Sequence, residues 1–307
     1  MVVSAHPFVS VIVITRNRAP WLRTCLEHLY RQDYEPFEVV VVDSSSNEET
    51  QAVLDELPRV KRLRIPDGRN NMPQARNLGI EHAVGEIVAF IDDDCYVHDG
   101  WLSHLIAHYT DPWVGGVGGR IVDPTRPPRG QGVGLIRLDS PEIVANFVVD
   151  TGNSIEVEHL CGGNMSFRRE VFSQVGGFDP LYGGHNRQEE TDFCIRVGSK
   201  GWKLIYEPKA VADHVAGPKE GRKRLEYNRQ VILYEGHNRA YFFLKNFGYR
   251  YQIIEHFFGG MPFLFITLCL KRRKRQYLEE FFFFSLGASW GLVDSLIIRL
   301  REVLSRA

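Results

Sequence analysis

Apolar and polar positions alternate at two different periods along the first third of the chain. Four short runs predict strands, three of them apolar almost throughout: FVSVIVIT (8–15), FEVVVVDS (37–44), VKRLRIP (60–66) and EIVAFIDDD (86–94). Three intervening segments carry apolar residues at helical spacing: APWLRTCLEHLYRQ (19–32), NEETQAVLDEL (47–57) and MPQARNLGIEHAV (72–84). Strands that are apolar on both faces need helices on both sides, so the pattern predicts an α/β fold with a buried, mainly parallel sheet. Ser46 or Asn47 is placed to cap the second helix.

The pattern changes after residue 113. A glycine-rich piece, WVGGVGGRIVD (113–123), predicts a strand, but its glycine spacing does not match a dinucleotide-binding loop and no helix follows it. The remaining elements are predicted as follows: a loop at 124–134, a strand and a short helix within 159–179, a helix within 187–202, and two short strands within 203–214 separated by a turn at Pro208. From about residue 218 the chain is predicted to be helical to its end.

Composition excludes several classes of protein. The chain has 37 basic and 38 acidic residues, a balance that argues against a nucleic-acid-binding protein. Its five cysteines are scattered without a C-x-x-C pair, which argues against a disulfide framework or a structural zinc site and fits a reducing, cytoplasmic setting. The first residues contain no basic segment followed by a long apolar one, so no signal peptide is predicted.

Three consecutive aspartates, Asp92, Asp93 and Asp94, follow directly on a predicted buried strand. Ligands of parallel α/β sheets bind beyond the carboxyl ends of the strands. Because side chains alternate along a strand, Asp92 and Asp94 are expected to face one side and Asp93 the other. Two hard oxygen donors that point into a crevice suit Mn²⁺ or Mg²⁺. The alternative is a solvated loop, since acidic residues are common in turns.

Seven ordered motifs resemble those of family 2 glycosyltransferases with the GT-A fold: VSVIVITRNR, EVVVVDSSSNEET, MPQARNLGI, GEIVAFIDDD, GGNMSFRREVFSQVGGFDP, QEETDFCIRVGSKGW and IYEPKAVADH. The resemblance runs from about residue 9 to residue 214. It implies a catalytic domain at 1–215, with a nucleotide-sugar half at about 1–112 and an acceptor half at about 113–215. A helical, membrane-associated extension would follow at 216–307.

The resemblance also implies roles for individual residues. The D-x-D motif, here Asp92 and Asp94, would bind the donor's diphosphate through the divalent cation, and His214 is a candidate further metal ligand. The residues expected to contact the nucleotide sugar are Thr15, Arg16, Asn17, Asp43, Arg76, Asp92, Asp93 and Asn164. Asp43 would accept a hydrogen bond from the base, and Arg76 would either pair with the diphosphate or position the loop. The structural alternatives are a turn residue for Asp43, a surface arginine for Arg76 and a packing role for His214.

The segment QEETDF supplies candidates for the general base. Transfer to a hydroxyl acceptor needs a group that takes the hydroxyl proton. Aligned on the family pattern, Glu190 is the first choice and Glu189 the second, while Asp192 is expected to face either the helix side or Arg196, one turn on. The alternative is that these acids simply favour a helix N-terminus.

The C-terminal third contains an apolar segment at 257–270, the basic run KRRKRQ at 271–276 and a second apolar segment at 281–298 that carries Asp294. Basic residues favour an anionic cytoplasmic leaflet, so peripheral or re-entrant attachment at the cytoplasmic face of the membrane is the leading hypothesis. A packed helical appendage, a dimer interface and a transmembrane span are the alternatives.

These observations predict a metal-dependent, inverting glycosyltransferase. A sugar-1-phosphate nucleotidylyltransferase is one alternative, but the loop after the first strand lacks the glycines typical of that class. A non-catalytic carbohydrate-binding module is another, although both the D-x-D motif and the candidate base are present. The expected donor is a UDP-sugar, with dTDP- and GDP-sugars possible. The acceptor would be a lipid-linked oligosaccharide, a polysaccharide or a protein, and the sequence does not predict the oligomeric state.

Overall fold

The computed structural model describes residues 6–57, 59–65, 72–128, 131–184, 188–215, 229–260 and 275–306. Several predictions therefore fall partly outside the described residues. These are the last ten residues of the apolar segment 257–270, the first four of KRRKRQ and the helical prediction for 218–228. One position of each of the predictions at 60–66 and 187–202, and two positions of the prediction at 124–134, also lie outside.

The described residues form strands and helices in the alternating order that the sequence predicts for the first third of the chain. The strands are β1 (Val9–Thr15), β2 (Phe37–Asp43), β3 (Val60–Arg64), β4 (Ile87–Asp92), β5 (Cys95–Val97), β6 (Val114–Val122), β7 (Leu135–Arg137), β8 (Glu142–Val144), β9 (Ile155–Val157), β10 (Asn164–Arg168) and β11 (Lys203–His214). The helices are α1 (Ala19–Leu29), α2 (Glu49–Asp55), α3 (Met72–His82), α4 (Trp101–Ile106), α5 (Arg169–Val175), α6 (Glu189–Gly198), α7 (Arg229–Phe247), α8 (Tyr251–Glu255) and α9 (Arg275–Arg306).

One large sheet organises the α/β part. Its strand order is β3-β2-β1-β4-β10-β6-β11-β5, with β9 paired to β11, while β7 and β8 form a separate hairpin. The first four strands are parallel, and β10 runs antiparallel to both of its neighbours, β4 and β6. The carboxyl ends of β1, β2 and β4 therefore meet the start of β10 at one edge of the sheet. The predicted α/β architecture with a mainly parallel sheet is confirmed.

Alternate residues of the central strands enter two different hydrophobic cores. Val11 and Val13 of β1 pack in the core that contains α1, whereas Ile12 packs in the core on the opposite face. On that second face α3 approaches the sheet closely, because a Cβ atom on Gly79 would lie 2.7 Å from Cγ2 of Ile12. Burial on both faces explains why these strands are apolar without a period of two.

Two local predictions were wrong. Helix α2 begins after Glu48, with no side-chain cap, because Ser46 instead bonds Asn17: the Ser46 N–H donates to Asn17 Oδ1 at 2.8 Å. The segment 203–214 is one strand, β11, rather than two, and a register shift between Glu207 and Val211 accommodates Pro208 within it. A bulge absorbs the missing proline N–H without ending the strand.

Helices α7 and α9 lie side by side and run in the same direction. Their backbones approach closely at glycines: a Cβ atom on Gly236 would meet the Phe284 carbonyl, and one on Gly291 would lie 2.5 Å from the His237 carbonyl oxygen. Within α9, the segment Glu279–Arg301 is long and apolar enough to cross a bilayer by length and composition alone, with a mean hydropathy of 1.7 over its most apolar window. Only 28% of that window is buried, so the pairing with α7 leaves most of it uncovered.

Candidate active site

The three consecutive aspartates lie where β4 ends. Asp92 is the last residue of β4, and Asp93 and Asp94 form the turn into β5. Asp93 is buried, accepts a hydrogen bond from Thr15 Oγ1 at 2.8 Å and pairs with Arg18 Nη1 at 2.7 Å. Burial raises the pKa of Asp93 to about 7, and the Arg18 charge opposes that rise. Asp93 and Thr15 therefore bind each other and the start of α1 rather than project into open space.

Asp94 shares the same arginine. Arg18 Nη1 lies 2.9 Å from Asp94 Oδ2, and the other oxygen of Asp94 lies 3.7 Å from His214 Nε2. The predicted alternation of side chains is therefore only partly realised, because the strand ends at Asp92 and a turn does not keep the period of two. Asp92 faces a different arginine, with 3.8 Å between its Oδ1 and Arg76 Nη2. Arg18 was not among the residues predicted from the sequence, although a basic residue at the start of α1, in the loop after β1, was a usable signal.

His214, the last residue of β11, is held by Asp123, which was not among the residues predicted from the sequence. Its Nδ1 lies 2.9 Å from Asp123 Oδ2, which leaves Nε2 directed at Asp94. Burial alone would raise the pKa of Asp123, but hydrogen bonds from Thr125 and His214 lower it to about 2. Histidines that bind metals commonly have their second nitrogen bonded to a carboxylate in this way. Asp123 follows the end of β6, so its place after a parallel strand was the available signal.

The side chains of Asp92, Asp94 and Cys95 bring possible ligand atoms within 4.8 Å of one another. Burial raises the pKa of the Cys95 thiol well above its usual value, which keeps the sulfur protonated and a poor ligand. The two carboxylates are therefore the effective donors, and Asp92 retains 36% exposure of its side chain. Such a donor set, with an imidazole nearby, fits a hard divalent cation.

We call the region between Asp92 and the start of α6 the crevice, and Arg76 of α3 is buried beside it. Its Nη1 pairs with Glu189 Oε1, its Nη2 donates to the Gly162 carbonyl at 2.9 Å, and the same nitrogen approaches Asp92. Burial lowers the pKa of Arg76, and the neighbouring charge of Asp92 opposes that change. Arg76 and Glu189 are both buried. Of the two roles predicted for Arg76, this geometry favours positioning the surrounding loop, and it excludes the surface-arginine alternative.

Glu190 follows Glu189 on α6 but is half-buried and lies against the glycine pair 162–163. A Cβ atom on Gly162 would lie 3.4 Å from Cγ of Glu190, and one on Gly163 would lie 2.8 Å from Oδ2 of Asp92. The two consecutive glycines thus lie beside the side chains of Glu190 and Asp92, which brings the candidate base close to the D-x-D motif. A side chain at position 163 would collide with the Asp92 carboxylate, and one at position 162 would lie 3.0 Å from Arg76 Nη2.

The loop after β1 and the end of β2 lie beside each other. Asn17 adopts a left-handed conformation with φ 53°, and its N–H donates to Ser45 Oγ at 2.8 Å. Asp43 accepts the Ser45 N–H through Oδ1 at 2.8 Å, whereas its buried Oδ2 has no hydrogen-bond partner among the described residues. A buried carboxylate oxygen without a partner is costly, so a ligand donor fits this position. Arg16, between the two strands' ends, is exposed.

Asn164 lies at the start of β10 and is fully buried. Its Oδ1 accepts the indole N–H of Trp101 at 2.8 Å, and its Nδ2 donates to the carbonyls of Arg120 and Ala210 at 3.2 and 3.0 Å. The amide therefore joins β10, β6, β11 and α4. This geometry argues against the sugar contact expected for Asn164. It favours a structural role.

Comparisons with known proteins agree with this arrangement. The sequence model of Glycosyl transferase family 2 matches residues 10–176. A glucosyl-dolichyl phosphate glucuronosyltransferase of Haloferax volcanii is 30% identical over 221 residues, which cover 67% of this chain and 68% of that protein.

Two solved structures share the fold. The mannosyltransferase PcManGT from Pyrobaculum calidifontis, in complex with GDP-Man and Mn²⁺, matches with a TM-score of 0.62 and 20% identity over 95% of this chain and 88% of its own. GalNAc-T7 with UDP, GalNAc and Mn²⁺ matches with a TM-score of 0.58 and 19% identity over 78% of this chain and 51% of its own. The fold is thus that of GT-A glycosyltransferases. Since the family match covers more than half of the sequence, the chain belongs to glycosyl transferase family 2 and is a glycosyltransferase that uses a nucleotide-sugar donor.

Proposed function

We propose that the protein is a metal-dependent, inverting glycosyltransferase that uses Glu190 as its general base. The observation that carries the proposal is the approach of Glu190 and Asp92 to the consecutive glycines 162 and 163. An inverting transfer is a single in-line displacement, so the acceptor hydroxyl and the leaving diphosphate lie on opposite sides of the sugar. A crevice with a metal-type carboxylate on one side and a candidate base on the other has the layout that this reaction needs.

Asp92 and Asp94 are the residues that would hold Mn²⁺ or Mg²⁺, with His214 as a further ligand. Such a cation neutralises the charge that develops on a departing nucleoside diphosphate. Asp123 holds His214 through Nδ1 and so keeps Nε2 directed at Asp94. The Mn²⁺ present in both structural neighbours supports this assignment.

Glu190 removes the proton from the acceptor hydroxyl in this proposal. Glu189 is unsuited to that role because it is buried and paired with Arg76. The Arg76–Glu189 pair instead fixes the start of α6 against the Gly162 carbonyl. General-base catalysis contributes about 10² to 10⁴-fold to the rate, so a displacement of Glu190 should lower kcat strongly.

The donor is a nucleotide sugar, with a UDP-sugar favoured and GDP- and dTDP-sugars retained as candidates. The partnerless Oδ2 of Asp43 is proposed to accept a hydrogen bond from the base, beside the loop formed by Thr15, Arg16 and Asn17. A lipid-linked acceptor is proposed because the Haloferax volcanii relative is named for transfer to a glucosyl-dolichyl phosphate.

Attachment to the cytoplasmic face of a membrane is also proposed, and an apolar stripe on α9 supports it. The exposed apolar residues of the stripe are Phe282, Leu286, Trp290, Val293, Leu296, Ile297, Leu300, Val303 and Leu304. They recur every three or four positions and so lie on one face of the helix. Asp294 is not part of it, because its Oδ2 bonds His237 Nε2 of α7 at 3.0 Å. A peripheral helix of this kind fits the geometry better than a span, since α7 covers the other face.

Sedimentation with vesicles tests the attachment. We expect the full chain to pellet with phosphatidylglycerol-containing vesicles and Val293→Glu to remain in the supernatant. Val84→Glu, at an exposed position after α3, is the matched control and should pellet like the wild type. Equal sedimentation of Val293→Glu and wild type would contradict the attachment but not the chemistry.

Donor turnover tests the catalytic proposal. UDP-, GDP- and dTDP-sugars are screened for release of the nucleoside diphosphate, with and without Mn²⁺, using wild type, Asp94→Ala and Asp55→Ala. Asp55 is an exposed aspartate paired with Arg62 on the surface, so its substitution should have no effect. We expect turnover to require Mn²⁺ and to be lost only in Asp94→Ala. Turnover that survives in Asp94→Ala would contradict the proposal.

A further inference from the structure

The catalytic helix α6 is anchored on its far side by α7. Asp192, two residues after Glu190, is fully buried. Lys245 Nζ of α7 lies 2.8 Å from Asp192 Oδ1, and Asn246 Nδ2 donates to the same oxygen at 2.9 Å. Arg196, one turn along α6, supplies a third contact at 2.9 Å to Oδ2. The predicted Asp192–Arg196 contact is thus present, but α7 provides two further partners.

The same face of α7 also holds the segment that leads into α6. Lys245 Nζ contacts Asp179 Oδ2 at 2.7 Å, and the Tyr241 hydroxyl donates to the same oxygen at 2.7 Å. One turn earlier, Asn238 Nδ2 donates to the Gly183 carbonyl at 3.1 Å. Residues 238, 241, 245 and 246 are three, four and one positions apart and so share one side of the helix. Helix α7 therefore binds both the approach to α6 and its first turn.

Because α6 is a helix, the contacts of Asp192 with α7 also restrict the position of Glu190. Each residue of an α-helix advances the side chain by about 100°, so Asp192 lies about 200° around the axis from Glu190. One side of the first turn is therefore fixed to α7 while the other presents Glu190 to the crevice. A rotation or shift of α6 that displaced Glu190 would have to break the contacts of Asp192.

The contacts of Asp192 with α7 are expected to be strong because Asp192 is buried. A buried carboxylate needs opposite charge and hydrogen bonds, and removing one partner of such a group leaves an uncompensated charge. The lysine is well placed for this, since its side chain is only 16% exposed and lies between two aspartates.

We propose that Lys245 and Asn246 are positioning residues for Glu190, so that the C-terminal helix pair takes part in acceptor activation. This proposal rests on the assignment of Glu190 as the base. It also connects the surface stripe on α9 to the crevice, because α9 packs along the length of α7.

The test compares Lys245→Met, Lys245→Arg and Asn246→Ala with wild type in two measurements. Lys203→Met is the matched control, because Lys203 forms a half-exposed ion pair with Asp111 at 3.4 Å, a pair that includes no residue of α6 or α7. The first measurement is hydrogen–deuterium exchange of peptides covering residues 188–198. The second is kcat and donor KM for Mn²⁺-dependent release of UDP, GDP or dTDP from the best donor of the screen, well below the Tm of each variant.

Lys245→Met should accelerate exchange in 188–198 and lower kcat about 10- to 100-fold, the scale expected when a reacting group is displaced by about an ångström. Donor KM should stay within about twofold, because the donor is held at the other end of the crevice. Asn246→Ala should also accelerate exchange in 188–198 and lower kcat, but by smaller factors. This variant decides the test if Lys245→Met does not fold. Lys245→Arg should restore most of kcat, and Lys203→Met should resemble wild type.

Unchanged exchange in 188–198 in both Lys245→Met and Asn246→Ala would overturn the proposal. Faster exchange with unchanged kcat would also overturn it, since α6 would then be anchored without consequence for the base. If wild type released no nucleotide from any donor, the proposed function would fail, and the exchange measurement alone would decide whether α7 anchors α6.

Discussion

Two arginines contact carboxylates in the crevice, and they do so in contrasting surroundings. Arg18, just before α1, pairs with Asp93 and Asp94 and keeps 21% of its side chain exposed. Arg76 of α3 is 2% exposed and pairs with Glu189 beneath the Gly162 carbonyl. The guanidinium of Arg76 also lies over two aromatic rings, at 5.9 Å from that of Phe90 and 5.3 Å from that of Phe178.

The difference separates an adaptable end of the crevice from a fixed one. Around Arg18, two aspartates share one arginine and Asp92 adds a third carboxylate, so the cluster carries excess negative charge that a divalent cation can neutralise. Around Arg76, the charge is balanced by Glu189, and both side chains are enclosed, with 2% and 1% exposure. In the proposed mechanism, the adaptable end would bind the donor and the fixed end would hold the base.

The largest expected effect separates the two adjacent glutamates at the fixed end. Glu190→Gln removes the proposed base without changing shape and should lower kcat about 10³-fold, or about 4 kcal/mol in the barrier. Its Tm should match that of wild type. Glu189→Gln should instead lower the Tm, because the buried charge of Arg76 then keeps only Asp92, at 3.8 Å, as a counter-ion. Steady-state kinetics and thermal melts of both variants are the measurement, and a greater loss of kcat in Glu189→Gln would reverse the assignment.

The next effect concerns the stability of the fixed end. Arg76→Met leaves the Glu189 carboxylate buried without its partner, so the free energy of unfolding should fall by about 3 to 4 kcal/mol. Urea unfolding followed by circular dichroism measures it. Arg23→Met is the control, because the Arg23–Glu56 pair lies on the surface and should contribute less than about 1 kcal/mol. A similar loss of unfolding free energy in both variants would mean that the burial of Arg76 does not strengthen its contribution to stability.

The same contrast shows which features a sequence can predict. Continuous apolar strands and helical spacing were sufficient for the α/β architecture, and Asp92 and Asp94 could be selected because they follow a buried strand. The contacts of Arg18 and Asp123 could not be predicted in this way. Those of Arg18 depend on the turn at Asp93, and those of Asp123 depend on the register that places Asp213 beside Val122. A pattern of residues does not specify which way a side chain turns at the end of a strand.

Asn164 shows the same limit for a residue that was selected from a motif. The glycine pair before it indicates a close backbone approach, and the structure has one. The direction of the amide, however, is set by the pairing of Asn164 with Ile91 across β10 and β4, which points it at Trp101. A polar residue in a motif can therefore serve the packing of the site rather than the ligand.

A smaller effect is expected at the nucleotide, on the adaptable side. Asp43→Asn keeps an oxygen for the Ser45 N–H but replaces the partnerless Oδ2 by a donor, which cannot accept a hydrogen bond from the base. The loss should be about 1.5 kcal/mol, or about a tenfold higher Kd for the preferred nucleoside diphosphate in Mn²⁺. Isothermal titration with UDP, GDP and dTDP measures it, and Asp55→Asn on the surface is the control. An unchanged Kd for all three nucleotides would remove Asp43 from the binding site.

The smallest effect tests whether the Arg18 end is truly adaptable. Arg18→Gln removes a positive charge that lies 2.9 Å from Asp94 Oδ2, so a divalent cation would meet less repulsion and less competition for that carboxylate. Because Arg18 is partly exposed, solvent weakens the effect, and Mn²⁺ should bind about three- to fivefold more tightly, a change of about 1 kcal/mol or less. Titration of the nucleotide-free protein with Mn²⁺ gives the Kd, and Arg23→Gln controls for the loss of one surface charge. Weaker Mn²⁺ binding in Arg18→Gln would show that this arginine orders the two aspartates, and the two ends of the crevice would then be equally rigid.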